Sequence, residues 1–83
     1  MSQDPFSEYE KKLRAKKNYE KFYEVVNSTL RFTKEEITHK FFQANHGDIW
    51  LGEGSNIESV LDFWCKSGDL EFCGGIYFHP DRI

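Results

Sequence analysis

The sequence predicts a small α+β domain: three helices, the first of them long, followed by a C-terminal β-hairpin. Two kinds of signal carry this reading. Ser7-Glu8-Tyr9-Glu10, Thr33-Lys34-Glu35-Glu36 and Ser55-Asn56-Ile57-Glu58 each have the form of a capping box. In that motif the cap hydroxyl accepts from the backbone N–H three residues on, and the glutamate reaches back to the cap's own N–H. Each box opens a segment whose apolar residues recur at helical spacing. After the third segment, Asp69–Cys73 and Ile76–His79 flank Gly74-Gly75. Such a two-residue turn can take positive φ at both positions and close a type I′ hairpin.

Residues 1–6 are expected to form a flexible terminus and residues 7–83 one domain. Between Ser7 and Thr29 there is no Gly or Pro, and the good helix formers Glu, Lys, Arg, Ala and Leu dominate. This predicts a helix over 8–29. Tyr19, Phe22, Tyr23, Val26 and Leu30 make its packing face, while the charged first half projects into solvent. Arg31-Phe32 reads as a short extended link. The second helix spans 34–45 with Ile37, Phe41 and Ala44 inward, and Asn45 or Gly47 suits a left-handed stop. The triplet Ile49-Trp50-Leu51 is expected to lid the core or add a sheet edge. The third helix spans 56–66, with Ile57, Val60, Leu61 and Trp64 on one face and Ser67-Gly68 ending it. In the hairpin, Cys73 should pair with Ile76, Phe72 with Tyr77 and Glu71 with Phe78, turning Leu70, Phe72, Tyr77 and His79 to the helices.

Eighty-three residues suffice for one modest core. Eight Phe, four Tyr and two Trp supply it, because each large ring buries much area. The expected cluster is Phe22, Val26, Leu30, Ile37, Phe41, Ile57, Leu61, Trp64, Leu70, Phe72 and Tyr77. No apolar run approaches the roughly 20 residues that span a bilayer, and the first residues lack the basic and apolar regions of a secretory signal. The expected location is cytoplasmic, or nuclear in a eukaryote. Cys65 and Cys73 have no C-x-x-C spacing and read as reduced, packed thiols. No metal site and no cofactor are expected, and no nucleophile, phosphate-loop or calcium-loop motif is present, so an enzyme is not expected.

From Phe32 to Phe78 the chain resembles the winged-helix (winged helix-turn-helix) superfamily. The resemblance rests on Phe32-Thr33-Lys34-Glu35-Glu36-Ile37, then Ser55-Asn56-Ile57-Glu58-Ser59-Val60-Leu61, then Ser67-Gly68-Asp69-Leu70-Glu71-Phe72 and Gly74-Gly75-Ile76-Tyr77-Phe78. It implies a DNA-binding transcription regulator whose third helix enters the major groove, or, as in a minority of such domains, a protein-interaction module.

Charge distribution bears on both. Residues 1–34 carry eight Lys/Arg against five acids, a net +3, and residues 35–83 carry three against nine, a net −6. In the nucleic-acid reading, Lys11, Lys12, Arg14, Lys16 and Lys17 of the basic first helix contact phosphates. Asn56, Ser59 and Lys66 of the third helix contact the groove, and a homodimer forms through the first helix. In the alternative, an acidic body docks on another protein through Phe42, Phe63, Glu58 and Asp62. No membrane partner is expected.

Overall fold

The computed structural model describes residues 5–82. Helix α1 runs Pro5–Asn27, strand β1 Arg31–Phe32, helix α2 Lys34–Ala44, helix α3 Ile57–Ser67, strand β2 Glu71–Cys73 and strand β3 Ile76–Phe78; a 3₁₀ turn, Pro80–Arg82, follows. The fold is α+β, with three helices followed by a C-terminal hairpin and a long first helix. The antiparallel sheet has the order β1-β3-β2, so the short link before α2 supplies the third strand. The hairpin register is the expected one: Cys73 opposite Ile76, Phe72 opposite Tyr77, Glu71 opposite Phe78. On its other edge β3 pairs with β1, Phe32 opposite Tyr77. No helix among the described residues is long and apolar enough to cross a membrane.

Capping chemistry sets the helix bounds, and it differs from expectation at two of the three boxes. Thr33 caps α2 with the full reciprocal pair, its hydroxyl accepting from the Glu36 N–H and Glu36 reaching back. Ser7, by contrast, lies inside α1, which already begins at Pro5; proline fits a first helical turn because its missing N–H has no helical partner there. The expected flexible terminus therefore falls on residues 1–4, outside the described residues, and on two helical ones. At α3 the cap is Asn56 instead of Ser55. Its side chain accepts from the Ser59 N–H at 2.8 Å, and the Ser59 hydroxyl takes the Asn56 N–H at 3.0 Å. An asparagine cap is as good as serine, and two candidates stood side by side. Gly68 closes α3 at φ 92°, the left-handed conformation that glycine adopts without penalty.

Helix α1 stops at Asn27, two residues early. The hydroxyls of Ser28 and Thr29 both bond back to the Val25 carbonyl, competing with helix propagation. The chain then turns out to pair β1 with β3. Leu30 is thereby rotated into solvent, 54% exposed, and leaves the expected core. Phe72 leaves it too, at 56% exposed. It sits on the edge strand β2, its ring 4.6 Å from that of Tyr77. Ala44 is also exposed.

The core is one cluster in which Val25, Phe32, Leu51 and Val60 join the remaining nine expected residues. The Phe22 ring sits 4.9 Å from Phe41 and 5.5 Å from Trp64, so one side chain ties α1 to both other helices. Tyr19 and Tyr23, on the expected packing face, are exposed but set their rings edge-on to Trp64.

The hairpin turn holds Gly74 and Gly75 at φ 58° and 83°. Gly75→Val forces a β-branched residue into that region and should destabilise the domain by about 1 kcal/mol or more. Urea-unfolding midpoints compared with wild type check this.

Candidate functional site

The loop between α2 and α3 is bound to α1 by a polar network. Arg14 donates through Nε and Nη2 to the two carboxylate oxygens of Asp48 at 2.9 and 2.8 Å, and its guanidinium lies 4.8 Å from the Trp50 ring centre. Asn18 is buried and donates to the Trp50 carbonyl at 2.7 Å. Asn45 donates to the Asn18 side chain at 2.7 Å and to the Asp48 carbonyl at 2.6 Å. Trp50 therefore covers α1 and leaves Leu51, beside it, to enter the core. The triplet forms no strand. Arg14, expected at phosphate, is committed to an internal bidentate pair.

Hydrogen bonds from Arg14, then from Asn18, hold the Asp48 carboxyl well below the usual carboxylate range. Its folded pKa is depressed, so the stability it contributes is present above the ordinary carboxylate pKa near 4 and is lost as pH falls below it. Asp48→Asn should therefore unfold at lower urea than wild type at neutral pH, and this difference should shrink below about pH 4. A constant difference across that range would show that the ion pair contributes nothing.

At the start of α3, two of the three residues expected in the groove, Asn56 and Ser59, cap each other. Asn56 and Ser59 are exposed, but their side chains are occupied by the reciprocal box. Glu58 is bridged by Lys34 of α2 at 3.0 Å, so its charge is compensated locally. Asp62 has no ion-pair partner among the described residues. Lys66, in the last turn, is exposed, and Phe63 is 63% exposed on the helix's outer side.

Tyr77 links this helix to the hairpin. Burial raises the Tyr77 phenol pKa, with Asp62, Cys65 and Glu58 adding to the rise and Lys34 opposing it. Burial likewise raises the Cys65 thiol, helped by Asp62 and Glu71. Phe72 packs on Tyr77, the ring centres 4.6 Å apart. Phe42 belongs elsewhere: half exposed on α2, its ring lies against Gly47, and with Lys34, Glu35, Thr38 and His39 it lines a shallow groove.

The four lysines Lys11, Lys12, Lys16 and Lys17 are exposed on α1. Lys11 and Lys12 flank a groove closed by Trp50, Gly52 and Glu53. Among the described residues, no group of three or more His, Cys, Asp or Glu could hold a metal ion, and both cysteines are free thiols.

Sequence reasoning missed Phe72 as a surface residue, because strand alternation alone turned it inward. It also missed Lys34 as the partner of Glu58, a contact between residues 24 apart that no local spacing signals. The chain matches no family model, no curated protein and no solved structure.

Proposed function

We propose that this chain is a winged-helix module that docks on another protein through α3 and the adjacent hairpin, without catalytic chemistry of its own. Phe63 carries the proposal. It is 63% exposed on α3, the helix that DNA-binding members of the superfamily would place in the major groove. Large aromatics are typical anchors of protein interfaces. In a groove the same side chain meets polar base edges, and Asp62 beside it repels the phosphates whose neutralisation supplies most DNA affinity. Phe72 adds a second ring, and Asp62 and Glu71 supply the charge, so the matching partner surface is apolar with basic residues at its rim. Membership of the superfamily is supported by the element order and by β1 joining the hairpin. The reading suits a cytoplasmic or nuclear protein.

A second reading rests on a separate observation. Lys11, Lys12, Lys16 and Lys17 form no ion pair among the described residues. In that reading they neutralise phosphates from α1, with Asn56, Ser59 and Lys66 near the groove and a dimer formed through α1, as in a transcription regulator.

One pair of measurements decides between the two. Wild type should give no salt-dependent shift of a mixed-sequence duplex at low ionic strength. Partners captured by wild type should be lost by tenfold or more with Phe63→Asp, while its melting temperature stays unchanged because the residue is exposed. A duplex shift abolished by combined Lys12→Glu, Lys16→Glu and Lys17→Glu would replace docking with DNA binding.

A further inference from the structure

We infer that the outer face of the sheet, turned away from the helices, is where a second copy of this chain docks. Side chains of a strand alternate between its two faces. Phe32 and Tyr77 stand opposite each other and are buried in the core. Arg31, Phe78 and Glu71, at the neighbouring position of each strand, therefore lie on the other face. Ile76 and Cys73, paired with each other, join them there. A solvated antiparallel face is ordinarily polar. Here Phe78 is only partly covered, Ile76 is 40% exposed and Cys73 is exposed. The half-exposed Leu30 extends the patch, lining one shallow groove of about 490 Å³ with Arg31, Cys73, Ile76 and Phe78.

Charge selects the occupant. The sheet order β1-β3-β2 sets Arg31, Phe78 and Glu71 in one row across three strands: positive, apolar, negative. A two-fold axis running along β3 between two facing copies exchanges the outer strands. It brings the Arg31 of each copy onto the Glu71 of the other, and Phe78 onto Phe78. The row is its own complement, as an isologous dimer requires. Neither Arg31 nor Glu71 has an ion-pair partner among the described residues, so both charges are available. Facing sheets pack about 10 Å apart, a gap that the two long side chains bridge. Arg82, which also lines the groove, is already held by the Asn27 carbonyl. This surface is separate from α1 and from Phe63 on α3, so the dimer leaves the proposed docking helix free. Glu71, at the sheet edge, borders both surfaces, and the test therefore reads mass instead of partner capture.

Sedimentation equilibrium of the full chain, with reductant to keep the exposed Cys73 thiol from cross-linking, provides that reading. Strands of two and three residues make the patch smaller than a standard interface of roughly 1,600 Å². Wild type should therefore dimerise with a dissociation constant on the order of 100 µM.

Arg31→Glu and Glu71→Arg, both at exposed positions, should each weaken dimerisation about tenfold or more, because like charges then meet twice in every dimer. Mixing the two variants should restore a heterodimer of wild-type strength, since every such contact again joins opposite charges. That rescue also shows that both chains are folded. A wild-type monomer at about 1 mM, dimers indifferent to both variants as a dimer through α1 would be, or a mixture no stronger than its components would each overturn the inference.

Discussion

Phe22→Ala should cost about 3–5 kcal/mol, the largest single loss in this domain. The side chain is fully buried, and its ring is the point where α1 meets both α2 and α3. Truncation removes the apolar area and leaves a cavity that three helices would have to close by moving together. A natural domain has about 5–15 kcal/mol of stability in total, so the variant should lose a large part of it. Urea unfolding followed by Trp fluorescence reads this directly, because Trp64 lies against the deleted ring. A loss below about 1 kcal/mol would mean that the α1–α3 contact is not part of the cooperative core.

Leu61→Ala should cost about 2–5 kcal/mol, whereas Leu30→Ala should stay within about 0.5 kcal/mol. Both residues carry the same side chain and both stood on an apolar face by spacing. Leu61 is fully buried and Leu30 is 54% exposed, so the pair separates burial from periodicity with chemistry held constant. Equal costs would show that Leu30 packs in solution and that α1 continues past Asn27.

Much of the fold was legible because its signals are local. The Thr33 hydroxyl and Glu36 form their cap from groups three residues apart, and Gly74-Gly75 closes the hairpin because few other residues tolerate positive φ there. Spacing alone placed Ile57, Val60, Leu61 and Trp64 on one face of α3, and all four are buried. The errors came where two local signals were nearly equal or where burial depended on a distant layer. Ser55 and Asn56 were equivalent caps one residue apart. Phe72 stands opposite buried Tyr77, as the register required, yet on the edge strand it stays 56% exposed.

The candidate site was less legible than the fold. Composition identified a basic first helix and an acidic body, and the outward spacing of α3 singled out Phe63. It could not show that Arg14 is held by Asp48, 34 residues away, or that Lys34 compensates Glu58. Nor could it show that Asn56 and Ser59 satisfy each other at the start of α3.

The amino-acid sequence by itself therefore determined the elements, their order, the hairpin register and most of the core, because caps, turns and periodicity act over a few residues. Only the tertiary structure decided which charges remain available to a partner and which aromatic rings stay in solvent. Those outcomes depend on pairings across the fold, where a charge loses its influence once an opposite one is brought within hydrogen-bond distance, and a ring is buried only if another layer arrives to cover it.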